Sequence, residues 1–344
     1  MAQQSNVYRP KTTGFLIAAI LLVMLVVLVL VSTILIVFAG RSDGGVTTTA
    51  GEDDDHPAVT TKAPSKTTTV TTTKPEDPEI IKPGYIELDR SKMNEGTLLL
   101  IDPDHLNLRS GLVDRKNMTA DQLNALGFVQ IPGDTGYFSR KDYSLYLDRE
   151  AYTAFEAMTK DLSAAVGSNL QVRNAYYYKE GFAEMRVDEN GNPNIDDLEM
   201  MEHSTGMVLD LQISVNNAQY SLTHQSQQNY YNWLKDNCYQ YGYIWVRDIT
   251  NKYSTFRYVG IPHAAAMRKL AVDLPDYISA LSPYTFQSHL TVSDAGGNEW
   301  WIYYVKAEQA ITKVAVIGEE NCYMISGDND SGFVIALNST LFSK

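Results

Sequence analysis

The sequence predicts an α+β body flanked by a membrane-spanning segment and linker on its amino side and a small antiparallel β module on its carboxyl side. Three observations predict it: a long uncharged apolar run, apolar stripes at helical spacing beside a strand-like alternation, and a late change to short strands between glycine-rich turns. Each is taken in chain order.

Between Lys11 and Arg41 no residue is charged, and Phe15 to Phe38 is nearly all Leu, Val and Ile. A bilayer core takes about 20 apolar residues, whereas the apolar part of a cleavable signal runs only about 7 to 15. Residues 12–40 therefore read as a retained transmembrane anchor. Arg9 and Lys11 precede it, Asp43 and Glu52 to Asp55 follow it, and Arg41 only partly offsets the asymmetry. The positive-inside rule then makes residues 1–11 a cytoplasmic tail of a single-pass protein whose body is extracytoplasmic. Residues 41–83 are rich in Thr and carry Pro57, Pro64, Pro75, Pro78 and Pro83. Such a segment buries too little apolar surface to fold, and proline keeps it extended as a tether.

Residues 84–282 carry the main domain. Tyr152, Phe155, Met158, Leu162 and Val166 recur at helical spacing before Gly167, and Trp233, Leu234, Asn237 and Tyr241 do so before Gly242. Both stripes read as core faces. Thr119 with Gln122 is a capping-box signal, and Asp273 before Pro275 starts a helix ending near Leu281. Asn190-Gly191-Asn192-Pro193 is a turn, with the acids around it read as a solvated loop and not a metal site. The most informative segment is Glu202-His203-Ser204-Thr205-Gly206-Met207-Val208-Leu209-Asp210, which places a His and an Asp at the start of a half-buried strand. Met207, Leu209, Leu211 and Ile213 share its core face, so Asp210 and Gln212 face the other way. His and Asp are both zinc ligands, but a catalytic zinc takes three protein ligands and a water, usually with a carboxylate to accept that water's proton. Alone, the pair equally reads as a hydrogen-bonded structural couple.

Glu202-His203-x-Thr205-Gly206 with Asp210, then Tyr241-Gly242-Tyr243-Ile244, then Phe256-Arg257-Tyr258-Val259-Gly260-Ile261-Pro262-His263 resemble the VanY-type zinc D-alanyl-D-alanine carboxypeptidases. The resemblance covers roughly Pro83 to Leu281. It implies the VanY/Hedgehog-type carboxypeptidase fold, a small mixed sheet carrying the site with helices packed around it. It also implies that zinc ligands of the family fall on His203 and Asp210. The family's third ligand and general base lie in a Glu-Pro-Trp-His run, which here reads Lys252-Tyr253-Ser254-Thr255. Lys252 stands at the base position and Thr255 at the ligand position. No Asp or Glu occurs between Asp248 and Asp273, so no gap placement restores the base. The connection from Ile244 to Phe256 reads shorter than the family's, with the strand that should carry the base cut away. His263 follows the motif that the family's ligand precedes and reads as a helix-start histidine. The family's carboxylate-holding Arg falls on Tyr177, in Val172-Arg173-Asn174-Ala175-Tyr176-Tyr177-Tyr178; Arg173 is four residues away, on the order of 13 Å along a strand. Met201 takes the place of the family's Ser before the Glu-His pair.

After Pro283 the pattern changes to short strands at 289–292, 300–305, 314–317, 323–326 and 333–337, a β-rich module over residues 283–344. Trp300 and Trp301 point to opposite faces; packing is the default reading and sugar stacking the alternative. Asp328-Asn329-Asp330-Ser331-Gly332 lacks the spaced ligands of a calcium loop and reads as a turn. Cys238 and Cys322 have no metal-ligand spacing and, lying in different segments, read as free thiols. The formal charge of −13 argues against a nucleic-acid partner.

The resemblance implies a peptidoglycan-directed protein, and three readings follow. The first is a catalytically impaired relative that recognises stem peptides or a wall-synthesis protein, motivated by the joint changes at Lys252, Thr255 and Tyr177. The second is a working zinc carboxypeptidase with an unrecognised base and ligand. The third is an envelope adaptor with no wall ligand. Two ligands alone give zinc weak affinity.

Overall fold

A computed structural model describes residues 82–101, 119–141, 144–176, 202–249 and 252–342. All belong to the unit Glu76–Lys344. The expected anchor, the expected linker up to residue 81, the Asn190-Gly191-Asn192-Pro193 turn, Met201 and Tyr177 lie outside the described residues.

The chain enters through β1 (Gly84–Asp89) and reaches α1 (Ala120–Ala125), β2 (Phe128–Gln130), β3 (Phe138–Arg140) and β4 (Tyr146–Asp148). The capping box at Thr119 forms as expected, Thr119 Oγ1 accepting from Gln122 N and Gln122 Oε1 from Thr119 N. Next come α2 (Arg149–Val166), β5 (Leu170–Asn174), β6 (Val208–Val215), β7 (Ala218–Tyr220), α3 (Gln228–Asn237), β8 (Tyr243–Ile249) and β9 (Tyr253–Tyr258). Strands β3, β5, β6, β9 and β8 lie side by side in that order, with β7 also on β6. The β3–β5 pair is parallel and the others antiparallel, so the sheet is mixed, as expected.

The stripe on α2 buries Phe155, Met158 and Leu162 in one core with Leu209, Leu211, Ile213 and Phe256 from the sheet. This leaves the other face of β6 to Asp210 and Gln212. That face is not solvated: Val208 to Leu211 and both polar residues are buried, so the half-buried strand expected from alternation is covered on both sides. The strand expected to be missing is present as well. β9 begins at Tyr253, pairs with both β6 and β8, and carries Thr255 at its centre.

Helices α4 (Ile261–Leu270) and α5 (Leu274–Ala280) follow, then β10 (Leu290–Ser293), β11 (Glu299–Lys306), β12 (Ile311–Val316), β13 (Tyr323–Gly327) and β14 (Gly332–Asn338). Strands β10, β11, β14 and β13 form an antiparallel sheet, while β12 pairs with β1. Alternation along β11 and β14 sends Ile302, Val334 and Ala336 into a core shared with α4 and α5, and Tyr303, Phe333, Ile335 and Leu337 into a second core with Val314 and Val316. The two tryptophans obey the same alternation. Trp300 packs on the first core and donates to Asp294 Oδ2 at 2.9 Å; Trp301 packs on the second and stacks on His289 at 4.1 Å. Packing, not exposure, accounts for both. Cys238 and Cys322 are buried free thiols.

Two buried polar groups secure this half. Asp328 Oδ1 accepts from the N–H groups of Asp330, Ser331 and Gly332, each at 2.9 Å, and its Oδ2 accepts from Tyr304 Oη at 2.7 Å. His263 lies in the first turn of α4 with Nδ1 2.9 Å from Tyr277 Oη, as a core histidine. Burial pushes its imidazole down to about 3.

Asp328→Ala, which strands these donors, is expected to lower stability to urea by about 2–4 kcal/mol. For His263, the unfolded chain takes up a proton near pH 6.5 while the folded chain does not until about 3. Its contribution is therefore complete above pH 6.5 and is lost as pH falls toward 3, by up to about 1.4 kcal/mol per pH unit. Thermal unfolding between pH 7 and 4.5 should show a shallower acid decline for His263→Gln than for the unaltered chain; equal declines would contradict this.

Candidate functional site

Residues 202–204 form a helical turn immediately before β6, so His203 precedes the strand instead of standing on it. Gly206 makes the junction possible. Its φ is +76°, and a Cβ there would sit 2.4 Å from Phe128 Cε1, so only glycine fits both the left-handed backbone and the space. The turn brings His203 Nε2 to 3.3 Å from Asp210 Oδ2.

Register supplies the rest. β6 is flanked by β5 and β9, which places Asn174 and Thr255 directly across from Asp210 on its two sides. Asn174 Nδ2 donates to Asp210 Oδ2 at 2.7 Å, and Thr255 Oγ1 donates to Oδ1 at 2.7 Å. Both carboxylate oxygens are thus engaged by protein donors. Burial alone would raise the Asp210 pKa, but the charge of His203 and the hydrogen bonds from His203, Asn174 and Thr255 outweigh it and hold the carboxyl below its ordinary value.

A polar row continues along the same face. Gln212 Nε2 donates to Gln171 Oε1 at 2.5 Å, and Gln171 Nε2 to Ser139 Oγ at 3.4 Å. Pairing of β5 with β6 shifts between Val172 and Asn174, and this irregularity re-aims Arg173. Its Nη1 donates to Gln212 Oε1 at 3.3 Å and its guanidinium lies 5.0 Å over the Tyr253 ring. Arg173 therefore lies on the same face as Gln212 and Asp210, while Tyr177, from which its four-residue offset is counted, lies outside the described residues. Among the described residues Arg173 has no carboxylate partner. Sequence reasoning missed Asn174 and the re-aimed Arg173, because neither carries a signal before the register of β5 on β6 is known.

The other named positions fall around this centre. Lys252 is exposed in the β8–β9 turn, its N–H donating to Ile249 O at 2.9 Å. Glu202 pairs with Arg247, which stands across from Thr255 on β8. Arg257 is buried, and its Nη2 donates to Thr97 O at 3.0 Å and Leu99 O at 2.6 Å, tying the 97–99 segment to β9. Burial lowers its pKa to about 10 against the opposing charge of Glu202. Tyr177 lies outside the described residues.

No protein-family model matches the chain. A D-alanyl-D-alanine carboxypeptidase of Enterococcus faecium is 24% identical over 260 residues, covering 73% of this chain and 78% of the relative. The chain is a divergent relative of the VanY-type D,D-peptidases. Among solved structures, the vancomycin resistance D,D-dipeptidase VanXYg, in complex with a D-Ala-D-Ala phosphinate analogue, matches with TM-score 0.51 and 22% identity, over 74% of this chain and 98% of that one. The LdcB LD-carboxypeptidase matches with TM-score 0.34 and 21% identity, over 48% of this chain and 80% of that one.

For a VanY-type relative, the donor set decides whether zinc fits. Among the described residues no group of three or more His, Cys, Asp or Glu side chains is placed to hold a metal ion. At the position opposite Asp210 stands a threonine whose hydroxyl donates to the carboxylate. A hydroxyl donating its proton to Asp210 adds no third ligand, and the described residues do not fit a three-ligand zinc centre. What they do form is a fixed carboxylate beside an arginine and a row of amides.

Two substitutions test this geometry. Thr255→Val keeps the shape but removes the donor, and is expected to cost about 1–3 kcal/mol in denaturant unfolding because a buried carboxylate loses a partner. Thr255→His should raise zinc affinity by at least about tenfold in a titration, by adding a ligand opposite Asp210; no gain would place position 255 outside the site.

Proposed function

We propose that the protein is a membrane-anchored, extracytoplasmic member of the D-alanyl-D-alanine carboxypeptidase lineage that binds peptidoglycan stem peptides without hydrolysing them. The observation that carries this reading is the Thr255 hydroxyl donating to Asp210 at 2.7 Å where the family resemblance puts a zinc ligand. The exposed Lys252 in the turn before it supports the same reading, since an ammonium cannot take a proton from water as a carboxylate does. Binding is supported by what the polar face retains. Half-buried Arg173 can offer charge-assisted hydrogen bonds to a terminal carboxylate, and half-buried Gln171 an amide to a peptide backbone. The stem-peptide class is supported by the relative's name, D-alanyl-D-alanine carboxypeptidase. Membrane anchorage is supported by the uncharged 12–40 run and the basic residues before it.

The test is a paired assay on the full-length chain with a pentapeptide ending in D-Ala-D-Ala. The expected outcome is saturable binding without release of D-alanine, weakened about tenfold or more by Arg173→Ala. Release of D-alanine that is lost in His203→Ala would establish the carboxypeptidase reading instead. Absence of any binding would leave the adaptor reading.

A further inference from the structure

The 202–204 turn carries two consecutive side chains that leave it toward different strands. His203 reaches Asp210 on β6, and Glu202 reaches Arg247 on β8. Strand β9 lies between those two strands in the sheet. Register fixes the span, since Asp210 stands opposite Thr255 and Thr255 opposite Arg247. Neighbouring strands are about 4.8 Å apart, so the two anchor points are separated by about 10 Å. The turn therefore bridges β9 at the level of Thr255, whose side chain is fully buried.

Backbone bonds set the shape of the turn and secure one end of it. Thr205 N and Oγ1 both donate to Glu202 O, at 3.2 and 2.7 Å, and Gly206 N donates to His203 O at 3.0 Å. Asp148 N, at the end of β4, donates to Gly206 O at 2.9 Å. None of these bonds reaches β8. The Glu202–Arg247 ion pair does, and its side chains are only 14% and 28% exposed, so water and salt screen it less than a surface pair. The buried Arg257, two residues on from Thr255, feels the same carboxylate. At the other anchor, His203 Nε2 lies 3.3 Å from Asp210 Oδ2, whereas Asn174 and Thr255 donate at 2.7 Å. Hydrogen bonds weaken with length, so the His203 contact is the one of the three that depends most on how the turn is placed.

We propose that Arg247 is a positioning residue of the Asp210 site: by holding Glu202 from β8 it sets the tilt of the 202–204 turn and so keeps the adjacent His203 on Asp210. The inference goes beyond the stem-peptide reading and does not depend on it.

The test is carbethoxylation of the full-length chain with diethyl pyrocarbonate at one fixed pH, read as the rate at each histidine by peptide mass spectrometry. The chain carries its own controls: His203 and His263 are buried, and His224 is exposed. Arg247→Ala and Glu202→Gln should each raise the His203 rate by at least about tenfold, through easier local opening of the turn, while His263 stays protected and His224 keeps its rate. Arg247→Lys, which keeps the charge for a single contact, should restore most of the protection. Glu202→Gln keeps the size of the side chain and the backbone bonds of the turn, so it reads the turn even where Arg247→Ala does not fold. An unchanged His203 rate in a variant whose His263 stays protected would overturn the inference. Reaction of His263 in both variants would overturn it too, because the pair would then secure the whole fold and not the turn. So would an Arg247→Lys chain whose His203 reacts as fast as in Arg247→Ala.

Discussion

The structure around the candidate site depends on one requirement, that a buried carboxylate be satisfied. Asp210 is held between two neighbouring strands and away from water, where an unpartnered ionised carboxylate costs several kcal/mol. Three side chains from three segments meet that cost: His203 from the turn before β6, Asn174 from β5 and Thr255 from β9. The same contacts therefore fix the register of three strands and choose which groups can face a ligand. A metal ion is one way to satisfy such a carboxylate, and a closed set of hydrogen bonds is another. The described residues supply donors for the second.

That choice has chemical consequences. With both oxygens of Asp210 engaged by Asn174 and Thr255, the described residues supply no third zinc ligand beside His203 and Asp210. The irregularity in β5 matters most here, because it coincides with Arg173 and turns that cation toward the Asp210 face. A preorganised face of arginine and amides suits recognition of a peptide, whereas bond cleavage would also require an activated water.

Much of the architecture was legible in the sequence. The stripe of Phe155, Met158 and Leu162 predicted α2 and its buried face, since helical period and burial are the same physical fact. The capping box at Thr119 and the aspartate before α5 marked helix starts through local hydrogen bonds. Trp300 and Trp301 followed alternation onto two separate cores. What escaped the sequence was non-local. Asn174 and Arg173 have no recognisable motif, and their roles follow from how β5 registers on β6 across a gap of more than thirty residues. The strand β9 seemed missing because its flanking connection is short, yet backbone pairing to β6 and β8 preserves it without the family's residues. Pairing of β1 with β12 joins the two ends of the described chain in the same way.

The account's central claim is that hydrogen bonds have taken the place of a metal at Asp210. Zinc stoichiometry on the metal-stripped full-length chain, with His203→Ala as control, tests it most directly. The account predicts no tight stoichiometric zinc, and no difference between the two proteins. One tight zinc per chain, lost on His203→Ala, would contradict it.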